Sequence, residues 1–234
     1  MQRAFEFGED GPERWLATLA AHFGPSLPTR RRTPFGQLIK SMLSARTRDA
    51  VSVAAYDALM TRYPEPRALA AAPPAAIEAV VADVTFAPDK AAAIAAALQL
   101  IGRERPDFDL GFLAAMPLPD ALAWLERLPG VARKVSASVL NLSTLNRPVF
   151  VVDAHVQRVL RRLGHVGRTA DTRAVSEAVT AGMPDWPGDA FASFHAVTKR
   201  LGQEVCRWDG PECGRCPLAN DCPTGQARIG SDVG

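Results

Sequence analysis

The 234-residue chain has no apolar run near the roughly 18 residues that a membrane-spanning helix needs, which excludes such a span within it. Its opening, MQRAFEFGED, carries acids where a secretory signal carries its apolar region. The expectation is a cytoplasmic protein with no membrane partner. Strong charge of one sign is also missing: 27 Lys and Arg stand against 25 Asp and Glu, a net +2. So small a surplus permits nucleic acid without arguing for it, and any such surface must come from local charge. Runs of β-branched residues are scarce, and no internal repeat or low-complexity block is present. Cysteine is confined to four positions between 206 and 222. In a reducing compartment these are metal ligands rather than two disulfides.

What is present is a succession of helical patterns joined by short turns, so the fold class is all-α. TPFGQLIKSMLSA opens with Thr33 as N-cap and Pro34 at the first helical position, and Phe35, Leu38, Ile39, Met42 and Leu43 keep the helical period. TRDAVSVAAYDALMTRY follows, with Asp49 as cap, then a short helix near PPAAIEAVVADV and a longer one opening at Pro88. LPDALAWLERL stops at Pro129-Gly130, and ARKVSASVLNLS restarts at once. PVFVV reads equally as a short strand or a buried extended turn. DAHVQRVLRRLG runs from Asp153 as N-cap to Gly164 as stop, and two further helices cover 171–182 and 187–203. The polar, Gly-containing tail PTGQARIGSDVG is expected to be disordered.

Cys206, Cys213, Cys216 and Cys222 have the spacing C-x6-C-x2-C-x5-C, close enough to wrap one metal centre. Zinc modules usually bring two C-x2-C knuckles, and only Cys213 and Cys216 form one. An iron–sulfur cube accepts wider spacing because its ligands reach four separate corners. The ligand chemistry therefore favours a cluster and leaves zinc open, with a metal staple for a loop of little core as its role.

LPGVARK, residues 128–134, places Arg133 and Lys134 in the first turn of a new helix, where the helix dipole makes positive charge least welcome. Two helices joined by Leu-Pro-Gly form a helix–hairpin–helix. Its glycine backbone and following helix start suit a phosphate, held without reading base sequence.

In order along the chain, LIKSMLSARTRD, LPGVARK, VVDAHVQRV and the cysteine spacing together resemble an endonuclease III type DNA glycosylase of the helix–hairpin–helix superfamily, across most of residues 12–222. The resemblance implies a six-helix barrel with the hairpin over residues 28–142. A helical iron–sulfur domain formed by residues 1–27 and 143–222 would sit beside it, with the catalytic groups at the cleft. It places the nucleophile at Lys134, the catalytic carboxylate at Asp153 and a [4Fe–4S] cluster on Cys206, Cys213, Cys216 and Cys222. The partner it implies is double-stranded DNA with damaged bases or abasic sites, bound by a monomer. The reaction is base excision of oxidised or ring-broken pyrimidines with lyase cleavage. Such an enzyme flips its target out of the stack and attacks C1′ of the sugar, which needs an unprotonated amine. The neighbouring charge of Arg133 and the positive helix end favour that form. Arg46, Phe86, Leu128, Gly130, Ala132 and Arg133 take the DNA-contacting positions.

Several positions depart from that pattern. Ala132 replaces the hairpin's second glycine, Arg46 replaces the glutamine that fills the gap left by the flipped base, and Thr85-Phe86-Ala87 replaces the Gly-Leu/Phe-Tyr wedge. Asp209 and Glu212 interrupt the basic cluster loop between Arg207 and Arg215. The four histidines form no ligand set, with His155 a packing residue and His165 and His195 structural. Arg30, Arg31, Arg32, Arg158, Arg161 and Arg162 read equally as DNA-facing cations or as solvated helix surface. The alternatives are an adenine- or thymine-mismatch glycosylase, disfavoured by Lys134, and a catalytically decayed DNA-binding iron–sulfur protein.

Overall fold

In the computed structural model, which describes residues 11–24 and 30–231, twelve α-helices and three short 3-10 turns are joined by tight connections. Among the described residues the only β-type pairing is an isolated bridge between Arg32 and Ser143. The chain divides into two compact units. One is continuous, Arg30–Arg147; the other holds the described residues 11–24 and 148–231.

The continuous unit contains α2 (Pro34–Leu43), α3 (Asp49–Arg62), α4 (Pro66–Ala71), α5 (Pro74–Val80), α6 (Ala87–Glu104), α7 (Leu118–Glu126) and α8 (Arg133–Leu142). Thr33 caps α2 as its hydroxyl accepts the Gly36 N–H at 3.1 Å, with Pro34 in the first turn. The apolar stripe Leu38, Ile39, Leu43 is fully buried, and α2 packs on α8, α3 and α6. Pro66 starts the short helix α4, which sequence periodicity had not marked. Arg48, not Asp49, holds the cap position of α3, and α6 begins at Ala87 behind Phe86.

The other unit contains α1 (Gly11–Phe23), α9 (Ala154–Arg162), α10 (Thr172–Gly182), α11 (Gly188–Glu204) and α12 (Pro223–Ser231). Trp15, Phe150, Val156, Leu160, Phe191 and Phe194 form its core, with Phe150 stacked on Phe194 at 5.2 Å. Residues 149–152 are buried yet pair with no strand. Their polar groups go to helix side chains instead. Phe150 N donates to Thr180 Oγ1 at 3.0 Å, Ser176 Oγ donates to Phe150 O at 2.7 Å, and His195 Nδ1 lies 2.8 Å from Val151 O. The strand alternative for PVFVV is not adopted.

The tail expectation is corrected. Residues 223–231 form α12, while 232–234 lie outside the described residues. Pro223 starts the helix, and Gly225 is close packing rather than slack: a Cβ there would lie 3.0 Å from Ala219 O. Thr224 Oγ1 donates to Arg162 O at 3.1 Å and Gln226 N to Cys222 O at 2.9 Å, tying the segment down.

Candidate active site

The hairpin is α7, the turn Leu128–Gly130 and α8. Gly130 has φ +76°, and a Cβ there would lie 2.8 Å from Ala93 Cβ and 3.3 Å from Met42 Cε, so both backbone and packing demand glycine. Ala132, the N-cap of α8, has φ −100° and ψ 177°, extended backbone that any residue adopts. That is why alanine is accommodated where the resembling family has its second glycine. Leu128 is buried.

Arg133 and Lys134 separate in the first turn of α8. Arg133 is 7% exposed, and its Nε donates to Glu126 Oε1 at 2.7 Å. The same carboxylate oxygen accepts Ser136 Oγ at 2.8 Å, so this pair fastens α7 to α8. The charge of Arg133, expected to stand beside Lys134, is met by Glu126 inside the hairpin. Lys134 is half-buried, and its Nζ donates to Ser44 Oγ at 2.5 Å. Ser44 Oγ in turn donates to Ser41 O at 2.9 Å. Sequence reading missed Ser44, whose relation to Lys134 spans 90 residues.

Asp153 caps α9, and Oδ1 accepts both His155 N and Val156 N at 2.9 Å. Oδ2 faces Lys199 Nζ at 4.0 Å. Burial pushes this carboxyl up, but His195, the Val156 N–H, Lys199 and His155 outweigh it and hold the group below its ordinary 3.8. The site thus keeps a carboxylate ionised in a mostly buried place. His195 is buried, and since Val151 O only accepts, its Nδ1 carries the hydrogen in that contact. Lys199 and His195, four residues and so about one turn apart on α11, are the neighbours that local pattern did not disclose.

The structure brings Arg46 and Phe86 together. Both have left-handed backbone, φ 53° and 59°, rare for residues with large side chains. Both are exposed, Phe86 by 52%, and the Arg46 guanidinium lies 5.9 Å from the Phe86 ring. Beneath them Lys90 Nζ donates to Leu43 O at 2.8 Å, Ala45 O at 2.6 Å and Thr47 Oγ1 at 3.0 Å. Burial pulls this amine down to about 8.

The four cysteines line one cavity with Arg162, Val205, Glu212 and Gly225, and none is disulfide-bonded. Burial pushes the Cys216 thiol up to about 11, and the other three cysteines add to the rise against one opposing Leu218 backbone hydrogen bond. Bare thiolates would repel one another here, so the donor set suits a bound cation. Arg162 Nη1 lies 3.3 Å from Cys206 Sγ, and Gly225 N lies 3.4 Å from Cys222 Sγ. Two arginines of α9, Arg158 and Arg162, hold the carbonyls at the start of this loop. Arg158 Nε donates to Cys206 O at 2.9 Å and its Nη2 to Gly202 O at 2.7 Å; Arg162 Nη1 donates to Arg207 O at 2.7 Å and Nη2 to Trp208 O at 3.0 Å. Arg161 donates to Ala170 O at 2.9 Å. Glu212 pairs with both Arg207 and Arg215, so one of the two acids that interrupt the basic loop neutralises its cations.

Residues 39–184 match the family described as HhH-GPD superfamily base excision DNA repair protein. Endonuclease III of Synechocystis sp. is 33% identical over 197 residues, covering 84% of each chain. Endonuclease III of Thermotoga maritima is 30% identical over 189 residues, covering 81% of this chain and 82% of that one. Among solved structures, a trapped endonuclease III–DNA covalent intermediate, an estranged-adenine complex, superposes with a TM-score of 0.78 at 25% identity over 95% of this chain and 99% of that one. A thermostable thymine-DNA glycosylase superposes with a TM-score of 0.74 at 18% identity over 92% and 97%, a likeness of fold alone.

Proposed function

The chain belongs to the HhH-GPD superfamily of base excision DNA repair proteins, as a DNA glycosylase of the endonuclease III type, and on that premise we propose that it is bifunctional, excising oxidised pyrimidines from duplex DNA and cleaving the abasic strand. The observation that carries the lyase reading is Lys134, a half-buried amine one turn past the glycine hairpin, whose Nζ donates to Ser44 Oγ at 2.5 Å.

In this reading the Gly130 turn and the start of α8 hold a phosphate, and the damaged nucleotide is extrahelical. The Lys134 amine, once unprotonated, forms a bond to C1′ as the C1′–N bond to the base breaks and the base leaves with the electron pair. Asp153 offsets the positive charge that develops on the sugar. Loss of a proton from the amine and opening of the sugar ring give a Schiff base. Removal of a C2′ proton then expels the 3′ phosphate by β-elimination. Cys206, Cys213, Cys216 and Cys222 would hold a [4Fe–4S] cluster, which when bound fastens the loop and takes no part in these steps. Their shared cavity, and a Cys216 thiol raised by burial and by the other three cysteines, support a bound cation there.

Borohydride trapping on a panel of lesion duplexes tests the reading. Wild type is expected to give a covalent adduct with thymine-glycol DNA, and Lys134→Ala none, with duplex binding largely retained. Excision without trapping in the wild type would point to a monofunctional mismatch glycosylase. Neither activity would point to a decayed enzyme.

A further inference from the structure

Arg46 and Phe86 stand on different loops, one after α2 and one before α6, and each needs a backbone conformation that its own side chain disfavours. Something must hold both in place. Lys90 touches both loops. Its backbone N–H donates to Phe86 O at 3.0 Å, closing the first turn of α6. Its ammonium reaches back to the end of α2, where it donates to the carbonyls of Leu43 and Ala45 and to the Thr47 hydroxyl. Ala45 and Thr47 flank Arg46 on either side. One residue therefore brackets Arg46 by its side chain and anchors Phe86 by its backbone.

We infer that Lys90 is a positioning residue that sets Arg46 and Phe86 as one rigid two-pronged element for the helix gap, and so determines opposite-base tolerance. A lysine that merely capped α2 would need only the Leu43 carbonyl. The two further bonds go to the residues on each side of Arg46. An ammonium has three N–H groups at tetrahedral angles and three oxygens receive them, so its donor capacity is matched to this loop. The guanidinium–ring approach of Arg46 and Phe86 then couples the two prongs, because displacing either alone loses that contact.

This inference rests on the glycosylase reading above, and its test separates the two. Lys90→Met keeps the chain length and apolar stem and removes all three donors; Lys90→Arg keeps charge and donors. In hydrogen exchange without DNA, Lys90→Met is expected to raise the exchange rate of the 44–48 segment at least tenfold, with Lys90→Arg closer to wild type. In single-turnover excision across the four opposite bases, Lys90→Met is expected to lose about tenfold and to change the opposite-base profile. Cleavage of a preformed abasic site in single-stranded DNA, which has no opposite base, should change less than twofold. In an Arg46→Ala/Phe86→Ala background, Lys90→Met should add less than twofold. If Lys90→Met folds with an unchanged exchange rate or an unchanged opposite-base profile, or if its effect persists in full in that background, the positioning role is overturned. If Lys90→Met does not fold, Lys90→Arg carries the decision: a wild-type profile with tenfold faster 44–48 exchange would overturn it. Failure of the glycosylase reading has a different mark, wild type inactive on every duplex with slow 44–48 exchange intact.

Discussion

Asp153→Asn separates two roles that one side chain combines. As an N-cap, Asp153 accepts two backbone N–H groups through Oδ1, and asparagine offers the same oxygen at nearly the same cap strength. The cap itself should lose only a few tenths of a kcal/mol. Losing the charge removes the 4.0 Å approach to Lys199 and the attraction of His195, at a site that is mostly but not wholly shielded. That adds at most about 1 kcal/mol. For a chain of this size, about 1 kcal/mol lowers the melting temperature by roughly 2–4 °C. Activity should respond on another scale, since removing a charge aimed at a developing transition-state charge costs about 10²–10³-fold. Thermal unfolding and single-turnover excision on one thymine-glycol duplex measure both. The sign with pH is definite. A carboxyl held below its usual 3.8 contributes stability that is present above that value and disappears as pH falls through its folded value. The gap in melting temperature between wild type and Asp153→Asn should therefore be widest near neutrality and close in acid. Asp153→Ala should lose about a further 1 kcal/mol with the cap, and no additional activity. Excision by Asp153→Asn within threefold of wild type would refute the catalytic assignment and leave a structural cap.

Gly130→Ala should destabilise by about 2 kcal/mol, from the positive φ and the collision with Ala93, while Ala132→Gly shifts stability by less than about 0.5 kcal/mol; thermal unfolding of the two variants compares them. Purified protein should be yellow-brown with iron and sulfide near four each per chain, and Cys213→Ser should mainly reduce soluble yield; a colourless protein with one stoichiometric zinc would remove the cluster. Arg46→Gln should narrow opposite-base tolerance and flatten the salt dependence of duplex binding, and an unchanged profile and slope would remove Arg46 from the gap.

The elements legible in the sequence were those written into adjacent residues. Thr33-Pro34 marks a helix start, Asp153 a cap and Gly130 a turn, each through a local rule that the structure follows. The cysteine cavity was legible because four cysteines within 17 residues must share a neighbourhood. What escaped was the partner of each charge. Arg133 and Lys134 look alike in the sequence, yet Glu126 turns one into an internal fastener while Ser44, 90 residues away, receives the other. Arg158, Arg161 and Arg162 form a basic stripe on paper, but their guanidinium groups go to backbone carbonyls of the loops they carry. Lys90 was invisible for the same reason: its acceptors lie more than 40 residues upstream. The tail misled by composition, since its glycine makes room for close packing rather than freedom.

Trp15 on α1 donates to Asp221 Oδ2 at 3.0 Å, and Arg14 pairs with the same oxygen at 3.1 Å. These bonds join residues more than 200 positions apart, whereas the unit from Arg30 to Arg147 is one continuous stretch of chain. During synthesis the two units therefore mature on different schedules. The continuous one has all its parts once residue 147 clears the ribosome, while α1 must wait for residues made last. The four thiols emerge in the same late stretch, after α9 and α11 have been made. The cysteine cavity is thus completed only at the end of synthesis, and a ribosome that stalls before Asp221 leaves Trp15 and Arg14 of α1 without the carboxylate that they bind.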